Sequence, residues 1–265
     1  MSAQIHLIEQ AGPARDHLVS LLEAQSVEVS VTSPNDSPVL PQCDAAVFLA
    51  DEDPFAPGGL PEHGVVAGWA EAAAMADARF IFCSSVLLYA DGGETELMAN
   101  DPELGWAPEL RKLQEAELDV FGSRAEVVLL RLGIVIGPGG THARSLSDAV
   151  RAGRLGVPVE GERFVPVLDR ETLASALSAL APSDLHGGWD LVAGDAPLAE
   201  LLAFASGVLS VPGPAVVPLS EAMAAAGPED ASRWLVSRRV TGHDLRETGA
   251  VGARDWKSIV EEALR

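Results

Sequence analysis

Six consecutive apolar residues, Ala45-Ala46-Val47-Phe48-Leu49-Ala50, narrow the possible folds of this chain more than any other feature. A run so short, with no polar side chain on either alternate face, suits a strand buried on both sides. Shorter or looser runs of the same kind recur at 5–8, 27–31, 80–83 and 126–132. Between them the pattern shifts to the helical period, at 17–24 with Leu18, Leu21 and Leu22 on one face, at 65–77 and at 107–120. Strands that alternate with helices predict an α/β protein with a parallel, doubly wound sheet, because each parallel crossover needs an element returning over a sheet face.

Beyond residue 136 the pattern is less regular. Gly137-Pro138-Gly139-Gly140 breaks the chain, and helices are expected at 143–152, 171–181, 198–208 and 256–264. Extended segments are expected at 158–167 and 188–192, with a proline-rich extended stretch at 211–219. No repeat or long linker divides the 265 residues, so they read as one unit: a core over 1–136, and a mixed segment over 137–265. That segment returns to the core and forms a small C-terminal subdomain.

The charge balance removes whole classes of partner. With 39 acidic against 18 basic residues the formal net charge is −21, which repels nucleic acid and anionic membranes. No apolar run reaches the roughly 18 residues of a membrane span. Met1-Ser2-Ala3-Gln4-Ile5-His6 has no basic leader, so a cytoplasmic protein is expected. Cys43 and Cys83 then read as free thiols. The histidines are scattered without metal-ligand spacing, and no metal is expected.

Five segments in order carry a resemblance. They are Asp44-Ala45-Ala46-Val47-Phe48-Leu49-Ala50, Ser84-Ser85-Val86-Leu87-Leu88-Tyr89, Arg131-Leu132-Gly133-Ile134-Val135-Ile136-Gly137-Pro138-Gly139, Phe164-Val165-Pro166-Val167-Leu168-Asp169, and the stretch 239–249. Together they resemble the extended short-chain dehydrogenase/reductases, the NAD-dependent epimerase/dehydratase branch, over essentially the whole chain. The resemblance implies a Rossmann-like core, a C-terminal substrate-type subdomain, and commonly a homodimer built through helices on one sheet face. It also places ligands at the carboxyl ends of the strands.

The family's cofactor turn is only partly present. It carries three glycines after the first strand, for a tight turn, for backbone approach to pyrophosphate and for helix–strand contact. Here Glu9, Gly12 and Arg15 take those places. A carboxylate at Glu9 opposes a pyrophosphate, while Arg15 adds bulk and either donates to a phosphate or pairs with Glu9 and closes the groove. The second strand ends Val31-Thr32-Ser33-Pro34, with neither the acid that holds a ribose diol nor the arginine that holds a 2′-phosphate. Ala50 and Ser84, at the ends of the third and fourth strands, complete the wall that such a cofactor would touch. Ordinary NAD(P) binding is opposed on three counts, and the residues assign no cofactor.

The chemistry is incomplete as well. Catalysis in the family is general acid–base work by a tyrosine whose pKa is lowered by a lysine four residues on. This chain has one tyrosine, Tyr89, in the serine segment, and Gly93 stands four residues after it. The helix beginning Lys112-Leu113-Gln114-Glu115-Ala116-Glu117 resembles the family's lysine helix, yet four residues before Lys112 is Pro108. Ser85 and Lys112 thus read as the vestige of the catalytic set. Tyr89, Gly137 and His142 read as lining a substrate pocket, and Asp51-Glu52-Asp53 as a solvated acidic loop. No G-x-S-x-G elbow suggests a hydrolase.

The expected function is therefore that of a degenerate family member, a pseudoenzyme that binds a small molecule or a protein partner without hydride transfer. Two alternatives compete with it. One is an NAD(P)-dependent oxidoreductase or epimerase with an atypical site. The other is an interaction subunit with no small-molecule ligand.

Overall fold

The computed structural model describes residues 2–9, 12–50, 62, 64–99, 104–105, 110–252 and 254–265. Six strands form the central sheet: β1 (Gln4–Ile8), β2 (Glu28–Thr32), β3 (Ala45–Leu49), β4 (Arg79–Ser85), β5 (Val127–Leu132) and β9 (Gly187–Leu191). Their order is β2-β1-β3-β4-β5-β9, and every neighbouring pair is parallel. This is the doubly wound sheet expected from the alternation. Its switch point lies between β1 and β3, where the strand order reverses and ligands gather beyond the carboxyl ends.

Side-chain alternation along β3 assigns the two faces. Ala45, Val47 and Leu49 join a core with Leu18 and Leu22 of α1 (Pro13–Ala24) and Leu173, Leu177 and Leu180 of α5 (Arg170–Leu180). Ala46 and Phe48 join the opposite core, with Trp69 of α2 (Val65–Met75) and Leu113 and Val120 of α3 (Arg111–Phe121). All five residues of β3 are buried, as a strand covered by helices on both sides must be.

The second half of the chain both completes and extends this core. Helix α5 packs on α1, and β9 closes the sheet edge next to β5. A second sheet follows, with β8 (Phe164–Leu168) between β6 (Ile134–Val135) and β10 (Gly194–Pro197). Helices α4 (Thr141–Arg151), α6 (Leu198–Leu209) and α10 (Trp256–Leu264) pack on one another beside it.

Two expectations for this half need correction. The extended segment at 158–167 is interrupted: β7 (Val157–Pro158) ends, and the chain turns through Gly161 at φ 79° before β8 begins. The stretch at 211–219 forms only the two-residue strand β11 (Val216–Val217), paired with β7. Helix α7 (Leu219–Ala226) starts directly after Pro218, which has no N–H to lose there. Cys83 is buried, Cys43 half-buried, and both are free. No helix of the described residues is long and apolar enough to cross a membrane.

A buried histidine sits within the first strand of the sheet. His6 of β1 is 5 % exposed; its Nδ1 lies 2.7 Å from the Ser30 hydroxyl, and its Nε2 is buried without a partner. Burial holds its pKa below the ordinary value of 6.5. The folded chain thus keeps the neutral ring, while the unfolded chain takes up a proton near the ordinary value, so stability is full above it and falls as pH drops through it. Replacing His6 with Asn should flatten the loss of Tm between about pH 7.5 and 5.5. An unchanged slope in thermal melts across that range would assign the acid lability to other groups.

Candidate functional site

The carboxyl edge of the sheet is where the sequence-derived residues should meet. The structure divides them into three groups, and the first is a buried polar chain. Ser84, the penultimate residue of β4, donates to Glu117 Oε1 at 2.6 Å. Arg131 of β5 forks onto the same carboxylate, with Nε to Oε1 at 3.0 Å and Nη2 to Oε2 at 2.7 Å. Its Nη1 donates to the Tyr89 hydroxyl at 3.2 Å, and that hydroxyl donates to Asp190 Oδ1 at 2.7 Å. Each of these five residues is at most 7 % exposed.

This arrangement commits the Ser84 hydroxyl to Glu117 and corrects the expectation for Tyr89. Tyr89 does not line a substrate pocket: it is 1 % exposed, and the Arg131 guanidinium lies 5.3 Å from its ring centre. Burial, then the Asp190 charge, holds the phenol above the ordinary range, with Arg131 partly opposing. A second arginine fixes the same turn. Arg238, 3 % exposed, donates to the carbonyls of Leu87, Tyr89 and Ser232. Burial draws its pKa down to about 9, against the influence of Asp91.

The second group lies at the surface or within the subdomain. The buried face of α3 is Leu113, Ala116, Glu117 and Val120, and this spacing turns Lys112 outward. Lys112 is half exposed and its Nζ pairs with Glu62 Oε1 at 2.9 Å, so it is not aimed into the edge. Pro108 and residues 51–53 lie outside the described residues. At Gly137 a Cβ would meet Arg170 Nη1 at 2.9 Å. The Gly-Pro-Gly-Gly turn thus wraps a buried guanidinium, with Gly140 closing on Arg170 Nη2 at 3.0 Å. His142 is 1 % exposed and stands edge-on to Trp234, at 6.3 Å between ring centres, inside the subdomain and not on a substrate loop.

The third group remains at the edge. Ser85 ends β4 half-buried, and its Oγ accepts from Leu87 N at 3.2 Å, capping the turn Val86–Leu88. Ala50 follows β3 and donates its N–H to the Cys83 carbonyl. Glu9, 7 % exposed, follows β1; burial raises the Cys83 thiol, and the Glu9 carboxylate adds to the rise. Gly12 caps α1, and among the described residues nothing lies within 4 Å of where its Cβ would stand.

Arg15 pairs with Asp16, through Nε at 3.1 Å and Nη2 at 2.9 Å, rather than with Glu9. It lines an open groove of about 390 Å³ together with Thr32, Ser33 and Asp36. Asp36 supplies an acid at the end of β2 that the sequence reading missed: its Oδ2 accepts from Thr32 Oγ1 at 2.9 Å and from Ser33 N at 3.0 Å. The signal was the Asn-Asp-Ser turn just past the strand, whose acid folds back onto the strand end. Glu117 was missed too, although a carboxylate on the apolar face of an amphipathic helix marks a buried pair.

The polar chain carries a direct test. Glu117→Ala would leave Arg131 buried and unpaired, an expected loss of about 3–5 kcal/mol in urea unfolding. Glu117→Leu combined with Arg131→Met should recover at least half of that loss, as uncharged groups of similar size replace the pair. A single substitution that cost less than about 1 kcal/mol, the range of exposed pairs, would show that the pair does not hold these elements together.

No family model matches the chain. A curated relative, the 3-diazoavenalumate denitrifying reductase of a Streptomyces species, is 27% identical over 259 residues, covering 92% of this chain and 84% of its own. Among solved structures, the human epimerase family protein SDR39U1 with NADPH superposes with a TM-score of 0.74 at 21% identity, over 98% of this chain and 99% of its own. The Bordetella bronchiseptica enzyme WbmH in complex with NAD+ gives 0.73 at 16% identity, over 100% and 97%. The chain thus shares the fold of these NAD(P)-bound structures, and the motifs of its own sequence resemble those of the extended short-chain dehydrogenase/reductases.

Proposed function

We propose that this protein is a nicotinamide-dependent reductase that works without a tyrosine acid. One observation carries the reading: the chain's one tyrosine is locked into the core by Asp190 and Arg131, while the groove beside α1 and β2 stays open. The groove's residues fit the adenosine end of NAD(P). Arg15, whose Nε and Nη2 pair with Asp16 of the same groove, offers Nη1 to a phosphate, and Asp36 stands where a ribose hydroxyl could meet it. Gly12 places no side chain of its own between an anion and the backbone N–H groups that begin α1. When bound, a reduced nicotinamide supplies a hydride.

What this chain's residues contribute is orientation. Ser85 can hydrogen-bond an acceptor at the end of β4, but its hydroxyl is no acid near neutral pH. The likeness to a relative named as a denitrifying reductase supports the reading from a second side. A reduction in which nitrogen departs leaves no alkoxide for a phenol to protonate. The other reading, a binding protein that has lost the reaction, is favoured by Glu9 at the first glycine position.

Nucleotide titration separates the two. NADPH and NADH should quench tryptophan fluorescence at micromolar concentrations, and Arg15→Ala should weaken both about tenfold, the worth of one charge-assisted contact. Absence of binding by either nucleotide would leave the non-catalytic reading. Tyr89→Phe should lower Tm, by removing the donor to Asp190, without abolishing hydride transfer. A complete loss of transfer in a variant that still folds would return the phenol to the chemistry.

A further inference from the structure

Two carboxylates and one guanidinium line the groove between α1 and the end of β2: Asp16, Asp36 and Arg15. Arg15 gives Nε and Nη2 to Asp16 Oδ1, so its charge is already shared. Asp36 is fixed at the strand end, where Thr32 Oγ1 at 2.9 Å and Ser33 N at 3.0 Å both donate to its Oδ2. These donors are uncharged and leave its negative charge in place. The charged side chains lining the groove therefore carry a negative balance.

The balance is complete on the side of lysine and arginine. Every lysine and arginine of the chain falls within the described residues, and Arg15 is the one among them that lines the groove. Arg131, Arg170 and Arg238 are buried elsewhere, while Arg111, Lys112 and Arg124 pair with carboxylates on or beside α2 and α3. Glu9, buried at the end of β1, opposes the pyrophosphate that both nicotinamide dinucleotides share, so it does not tell them apart.

NAD(H) and NADP(H) differ only at the adenosine ribose, which the end of the second strand meets in a doubly wound sheet. The first presents a 2′-hydroxyl, which can donate to a carboxylate. The second presents a phosphate of about −2 charge at neutral pH, which cannot. We infer that this groove selects NAD(H) over NADP(H), with Asp36 as the residue that discriminates. The inference rests on the reductase reading, which seats the adenosine end here, and adds the choice of cofactor. A 2′-hydroxyl gains a charge-assisted hydrogen bond to Asp36. A 2′-phosphate meets like charge from Asp36 and Asp16, with Arg15, already shared with Asp16, as its counter-ion.

Calorimetric titration of the full chain with NADH and with NADPH reads this without turnover. NADH should bind at least about tenfold more tightly at low salt, and the margin should shrink as rising salt screens the like charges. Asp36→Asn should bring the two affinities within about threefold, by tightening NADPH and weakening NADH. Asp16→Asn, at a side chain that is 68% exposed, should tighten NADPH at least about threefold by releasing Arg15, with a smaller change for NADH.

NADPH binding as tight as NADH, or tighter, would overturn the inference while the reductase reading stands. A margin moved by neither salt nor the two substitutions would overturn it as well, since the discrimination would then lie outside these charges. Failure of both nucleotides to bind would remove the reductase reading and this inference with it.

Discussion

The fork of Arg131 onto Glu117 is the contact on which the rest of the edge depends. A guanidinium and a carboxylate this deeply buried are each costly alone, and each is stabilised by the other and by further hydrogen bonds. Because Arg131 belongs to β5 and Glu117 to α3, the pair fixes how that helix rotates on the sheet. The same fork reaches Ser84 at the end of β4 and, through Tyr89, Asp190 of β9. Three adjacent strand ends are thereby tied to one helix, and Arg238 ties the turn that follows β4 to the C-terminal half. A tyrosine in this position is part of the frame of the site, which removes it from proton transfer.

The fold was legible in the sequence because its signals were local. Continuous apolar runs gave the strands of a sheet covered on both faces, and the leucines of α1 gave a helix with one buried face. What failed to show was short or set by partners distant in sequence. Strands β6 and β10 exist because β8 lies between them, and two to four residues carry no periodicity of their own. Helix α7 was hidden behind prolines that read as an extended stretch but serve at its start.

The site was less legible, for a related reason. Residue type and spacing suggested Lys112, Tyr89, Gly137 and His142 as chemistry, but rotation and burial decide which way each side chain faces. A helix turns about 100° per residue, so the register that buries Leu113 and Glu117 leaves Lys112 outside. Gly137 looked like part of a pocket, and its small size instead admits the guanidinium of Arg170, which is remote in sequence. Asp36 and Arg15 were legible as residues but not as neighbours, because the meeting of α1 with the end of β2 is a tertiary fact.

Loss of an acid does not by itself abolish a reductase; it changes which substrates the reductase can serve. Hydride transfer and proton transfer are separate demands, and the family's tyrosine answers the second. Under the proposed reading, an edge whose tyrosine is held in the core suits an acceptor whose charge falls during reduction. For an acceptor whose charge becomes negative, the same edge leaves the transition state without a stabilising partner. The frame of Arg131, Glu117, Tyr89 and Asp190 thus holds the chain's one tyrosine in structure, and under the proposed reading any proton the reaction needs comes from another group.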